Sequence, residues 1–116
     1  MNTGAGRKLG RPTGHRFELL RNLVTSLLHY EKIQTTMPKA REAARMAERL
    51  ITVAKKSDLN SRRRVARDLK NPAVKVKLFD IIAPRYKERK GGYTQFIRIG
   101  PRLSDGAEMG ILKLIS

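Results

Sequence analysis

From Arg16 onward the apolar residues Phe17, Leu20, Val24, Leu27 and Leu28 recur at three- and four-residue spacing. That spacing predicts a helix over 16–31. Lys32-Ile33-Gln34-Thr35-Thr36 is short and rich in β-formers, which predicts one strand. Pro38 suits the first turn of the next helix, with Thr36 or Met37 as its cap. This second helix, over 38–56, carries a narrow stripe of Ala40, Ala43, Ala44, Ala47, Leu50, Ile51 and Ala54. Small side chains let a helix approach the neighbouring layer closely. Its other face holds Arg41, Arg45, Arg49 and Lys56, offset in part by Glu42 and Glu48.

Ser57-Asp58 predicts the cap of a third helix over about 59–70, with Arg63, Arg64 and Arg67 projecting away from Val65 and Leu69. Asn71-Pro72 ends it and opens a fourth, whose apolar stripe is Val74, Leu78, Ile81 and Ile82. Pro84 interrupts that helix, because proline lacks a donor N–H and disfavours a helical residue before it. From Gly91 the pattern turns β-branched and aromatic. Tyr93 to Ile99 and Met109 to Ile115 predict an antiparallel hairpin joined by residues 101–108, with Ser104-Asp105-Gly106 in the turn. Residues 1–15 show no apolar period and scatter Gly4, Gly6, Gly10, Pro12 and Gly14 among bases. They predict a flexible basic arm ahead of one globular domain, 16–116.

Charge changes this picture from a fold to a partner. The 116 residues contain 26 Lys plus Arg and 10 Asp plus Glu, a net charge of +16. Residues 1–16 carry +4 and residues 61–90 carry +8, while 17–60 and 91–116 carry +3 and +1. Positive charge concentrated in this way repels itself, and a polyanion relieves the repulsion. The chain has no cysteine, which excludes disulfides, thiolate metal sites and cysteine nucleophiles. No apolar run approaches a membrane span, so no membrane insertion is expected.

Candidate chemistry concentrates in Pro84-Arg85-Tyr86-Lys87-Glu88-Arg89-Lys90-Gly91-Gly92-Tyr93-Thr94. Arginine clasps phosphate oxygens bidentately. Tyrosine stacks on an unpaired base or bonds a phosphate. Paired glycines let backbone N–H groups approach an anion. The alternative for this segment is a helix end, a glycine turn and a strand whose tyrosines are core, and Tyr93 fits that alternative well. The glycines match no nucleotide-binding loop. His15 and His29 stand in no metal motif, with His15 beside Arg16 placed for a phosphate contact and His29 near a helix end. Asp105 and Glu108 form no convincing acid–base pair, so no catalytic constellation assembles and neither a cofactor nor a small-molecule substrate is expected.

These residues, taken together, resemble the bacterial-type large-subunit ribosomal protein seventeen family. The resemblance rests on Gly6-Arg7-Lys8-Leu9, His15-Arg16, Arg21-Asn22 and Ile33-Gln34-Thr35-Thr36-Met37-Pro38-Lys39-Ala40-Arg41-Glu42. It continues through Leu50-Ile51-Thr52-Val53-Ala54-Lys55, Lys77-Leu78-Phe79-Asp80, Ala83-Pro84-Arg85-Tyr86 and Gly91-Gly92-Tyr93-Thr94. It implies an α+β, two-layer α/β single domain ordered helix, strand, three helices, two strands. It also implies a cytoplasmic, non-catalytic constituent of the large ribosomal subunit. The implied partners are large-subunit ribosomal RNA, near the rim of the nascent-chain exit tunnel, and neighbouring ribosomal proteins, with no homo-oligomer. Where the family often opens on Met-Arg-His and a basic run, Met1-Asn2-Thr3-Gly4-Ala5 carries no base.

Charge and placement nominate the RNA-binding residues. They are Arg7, Lys8 and Arg11 in the arm, His15 at its junction with the first helix, Arg16 and Arg21 on that helix, and Lys39 on the second. Arg62, Arg63, Arg64 and Arg67 follow on the third, then Arg85, Tyr86, Arg89, Lys90, Gly91, Gly92 and Tyr93, and Arg98 on the strand. The competing classes are a duplex-DNA binder, which competition between DNA and structured RNA separates, and an RNA-processing enzyme, which retained RNA cleavage after purification would reveal.

Overall fold

In the computed structural model, residues 13–115 are described, with side chains from residue 17 onward. Helix α1 runs Thr13–Tyr30 and buries Leu20, Val24, Leu27 and Leu28. It begins one turn before the apolar stripe, so residues 13–15, expected in the arm, are helical. The stripe marks where the helix meets the core, and backbone hydrogen bonding starts earlier. Residues 1–12 lie outside the described residues. Glu31, at φ 66°, reverses the chain into β1, Lys32–Thr36.

Helix α2 spans Met37–Ala54, with Thr36 as a cap in extended conformation whose side chain makes no capping bond. Its small-residue stripe is buried at Ala40, Ala43, Ala47, Leu50, Ile51 and Ala54. Helix α3, Leu59–Asp68, is capped by Asp58, which accepts the Ser61 N–H at 2.8 Å. Helix α4, Pro72–Lys77, is capped by Asn71, which accepts from the Ala73 and Val74 N–H groups.

Pro84 does not break the helix that follows. The chain passes from α4 through a π-helical turn, Leu78–Ile82, into the short α5, Ala83–Arg85. Within the wide turn the Ala83 N–H donates to Leu78 five residues back. Proline occupies an early position of α5, where a missing N–H is tolerated. The wider turn also re-aims side chains. Leu78, Phe79 and Ile82 are buried, whereas Ile81, expected in the stripe, is 52% exposed.

Strands β2, Thr94–Pro101, and β3, Glu108–Leu114, form the expected hairpin with a shorter connection. Arg102 clasps Asp105 with bonds of 2.9 and 2.7 Å and closes the turn. The sheet order is β1-β3-β2, all antiparallel, so the last strand is central. β3 pairs Thr36 with Met109 on one side and Phe96 with Leu112 on the other, and a bulge follows Arg98. Helices α1 and α2 pack on one face of this sheet, α3 packs on α2, and α4 packs on α1. One core unites all of them, from Val24 and Ile51 to Tyr93 and Leu112.

Candidate nucleic-acid interface

The most concentrated positive surface is α3 with the turn that precedes it. Arg63, Arg64 and Arg67 line an open cleft of about 480 Å³ together with Lys56, Asn60, Ser61 and Asp58. Burial of Val65 and Leu69 fixes which side of α3 faces inward and leaves these arginines exposed. The one carboxylate among the described lining residues, Asp58, is held below its ordinary pKa by its bond from Ser61 and is engaged as the helix cap. Arg62 turns the other way, with its guanidinium 4.5 Å from the centre of the Phe79 ring. Lys56 and Asn60 were not among the nominated residues. Their signal was position alone: Lys56 lies just past the end of α2 and Asn60 in the first turn of α3, so the α2–α3 corner brings both to the arginines.

The segment 84–94 behaves differently. Arg85 donates twice to Glu31, at 2.6 and 3.0 Å, and Lys77 reaches the same carboxylate at 3.1 Å. The Arg85 bond, against the opposing effect of partial burial and aided by Lys77, holds the Glu31 carboxyl down at about 2. Lys77 also donates to the His29 carbonyl at 2.8 Å. Arg85 is therefore a strut joining α5 to the end of α1.

Tyr86 and Tyr93 are buried in the core, as the alternative reading of this segment has it. Their rings pack 5.1 Å apart. The Tyr86 hydroxyl donates to the Ile115 carbonyl. The Tyr93 hydroxyl lies 3.0 Å from Lys55 Nζ and 3.2 Å from Thr52 Oγ1. Burial pushes the Tyr93 phenol up, and the Lys55 and Thr52 bonds outweigh it, leaving the phenol below its ordinary pKa. Thr94 then fastens β2 to α2 through Glu48, with its hydroxyl donating at 2.8 Å. Gly92, at φ +65°, makes the turn between the exposed Arg89–Lys90 pair and buried Tyr93. Gly91 has no positive φ and open space around it.

The remaining nominated residues are dispersed. Arg21 is exposed on α1 and pairs with Asp68 of α3 at 3.3 Å. Lys39 is half-buried in the first turn of α2. Arg98 lies on β2 and lines a separate cleft together with Arg41. His15 and Arg16 sit on α1, with side chains outside the described residues, and Arg7, Lys8 and Arg11 lie outside them altogether. Among the described residues no group of His, Asp and Glu is placed to hold a metal ion. No described helix is long and apolar enough to cross a membrane.

Comparison with known proteins gives one consistent result. The family model described as ribosomal protein L17 matches residues 19–115. The large ribosomal subunit protein bL17 of Clostridium acetobutylicum is 52% identical over 109 residues, covering 94% of this chain and 96% of that relative. The bL17 of Trichlorobacter lovleyi is 46% identical over 114 residues, covering 98% and 92%. That of Caldanaerobacter subterraneus subsp. tengcongensis is 50% identical over 109 residues, covering 94% and 97%.

Proposed function

The chain belongs to the ribosomal protein L17 family, and from that premise we propose that it is a cytoplasmic, non-catalytic structural constituent of the large ribosomal subunit that binds ribosomal RNA. The observation that carries this reading is family similarity across nearly the whole chain. The cationic cleft of α3 supports it with a mechanism. Arginine and lysine side chains displace counterions from phosphates, and the packed body beneath holds them in register.

In this reading Arg63, Arg64, Arg67 and Lys56 form the principal phosphate-binding surface, and Arg62, Arg89, Lys90, Arg98, Arg21 and Lys39 add separate contacts around it. Arg7, Lys8 and Arg11 thread between RNA segments, and His15 and Arg16, on α1, help to anchor the domain. Arg85 acts indirectly by positioning the segment that carries Arg89 and Lys90. Tyr86, Tyr93 and Gly92 shape that segment from within, and Gly91 gives its backbone room. By resemblance the protein sits near the exit-tunnel rim, one copy per subunit, beside other ribosomal proteins.

Co-sedimentation tests the reading. The tagged protein travels stoichiometrically with large subunits through a high-salt wash, and cryo-electron microscopy of those subunits places it at the tunnel exit. Absence from large subunits isolated at low salt, or equal competition by duplex DNA for purified ribosomal RNA binding, would contradict it.

A further inference from the structure

We propose that a second cleft, between the start of α2 and the open end of the sheet, receives one unpaired RNA base, with Arg41 and Arg98 holding the adjoining phosphates. This rests on the reading of the chain as a ribosomal RNA binder, and it adds a contact of a different chemical kind to the α3 surface.

The cleft encloses about 250 Å³. Ala40 and Ala44 of α2 bound one side, and Phe96 and Leu112 of the sheet bound the other. Each wall has a cause in the sequence. Alanines keep α2 from filling the space that larger side chains would occupy. Gly110, in the central strand, lets the Phe96 ring lie over it: a Cβ at Gly110 would stand 2.2 Å from Phe96 Cζ. Arg98 pairs with Gly110 in the register, two residues beyond Phe96 and on the same face of β2. Among the described residues Phe96 has no ring partner and Arg98 has no carboxylate partner. Among the described residues Arg41 reaches only the Met37 sulfur, at 3.7 Å. Among the described residues no carboxylate lines the cleft.

An apolar cleft with an aromatic wall and a purely cationic rim is complementary to a group that is flat and apolar on its faces and anionic at its edge. A nucleotide unstacked from its strand has that form, because its base offers a π-face and its flanking phosphodiesters carry the charge. An acidic peptide is the other class that this rim attracts. The field of a chain carrying +16 draws a polyanion first, and the aromatic wall favours a base.

The test measures binding of purified large-subunit ribosomal RNA to the full chain and three variants, with thermal melts in parallel. Ala44→Leu fills the cleft without changing charge. It is expected to weaken binding about tenfold or more, the scale of one lost base stack, with an unchanged salt slope. Arg98→Gln is expected to weaken binding and lower the log–log salt slope by somewhat under one. Arg102→Gln removes the same charge outside the cleft and is expected to weaken binding less than Arg98→Gln does. Ultraviolet crosslinking of the wild-type protein is expected to join RNA to the segment Thr94–Arg98, a readout that survives if Ala44→Leu fails to fold. Wild-type affinity in a stably folded Ala44→Leu variant, or crosslinks confined to other segments, overturns the inference while leaving RNA binding intact. A wild-type chain that fails to bind ribosomal RNA overturns the proposed function and this inference together. Crosslinks from the cleft to an acidic protein segment in assembled subunits, with none to RNA, overturn it in favour of a protein partner.

Discussion

Gly91 and Gly92 are neighbours with different physical roles. Gly92 adopts φ +65°, a conformation that a β-branched residue enters at a cost of roughly 1–3 kcal/mol. Gly91 has no such constraint, and among the described residues nothing lies within 4 Å of the place where a Cβ would stand. Gly92→Val is therefore expected to lower the melting temperature by several degrees, and Gly91→Val to leave it nearly unchanged; differential scanning fluorimetry of the two checks this. Equal effects would mean that the pair acts through something other than backbone conformation. The same segment shows why side-chain roles are hard to read from residue type. Arginine's planar fork suits a carboxylate as well as a phosphate, and the carboxylate that takes Arg85 is Glu31, 54 positions away in sequence. Nothing local to Arg85 announces it. Tyr93 was legible as core because it opens an apolar strand pattern. Tyr86 was not, because its neighbours Arg85 and Lys87 are charged and its burial depends on the distant Ile115 carbonyl.

Elements defined by a clear period were legible: α1, α2, α3 and the hairpin all stand where their apolar spacing puts them, within a few residues. The π turn was not, because Val74, Leu78 and Ile82 have the four-residue spacing of an ordinary helix. The central place of β3 was not legible either, since a hairpin pattern does not say which strand will accept β1. Glu31 helps to settle that arrangement. Its carbonyl accepts the Leu114 N–H at 2.9 Å, and its carboxylate ties together α1, α4 and α5 through Lys77 and Arg85. With the Glu31 carboxyl held at about 2, the folded state binds its proton less readily than the unfolded chain does. Its contribution is thus complete above the unfolded carboxyl pKa near 4.5 and is lost as pH falls toward 2. Partial solvent exposure screens the tie, so about 1–2 kcal/mol is expected at neutral pH. Asp58 and Asp105 are also held low, so the wild-type acid profile alone does not isolate Glu31. The informative quantity is the stability difference between wild type and Glu31→Gln by urea denaturation: it is expected to be largest at neutral pH and to shrink between pH 4.5 and 2. A difference independent of pH would show that shape, rather than charge, is what Glu31 supplies.

At the scale of the whole molecule the excess positive charge has two consequences with opposite salt dependence. The ion pairs among the described residues engage Arg21, Arg45, Lys77, Arg85 and Arg102, and they leave the α3 arginines crowded around their cleft without a salt bridge to quiet them. Composition made this excess legible. Its division into struts and free surface depended on the fold, because each long-range pair joins elements that only tertiary packing brings together. In the free protein, like charges repel across the surface, and added salt screens them over a Debye length of roughly 8–10 Å near physiological ionic strength. The melting temperature of the isolated chain is therefore expected to rise between ~50 and ~200 mM salt. Binding to ribosomal RNA is expected to move the other way. Counterion release makes affinity fall linearly in log–log form, by several orders of magnitude over that interval if six or more phosphates are neutralised. Neutralising Arg63, Arg64 and Arg67 together, each to Gln, is expected to reduce both slopes: the binding slope by about two to three, and the melting slope because the most crowded repulsion is gone. Measuring the two slopes on one preparation separates a charge mechanism from a structural one. A triple variant that binds weakly but keeps the wild-type salt slope would show that α3 acts through shape or hydrogen bonding, and that the phosphates are held elsewhere on the molecule.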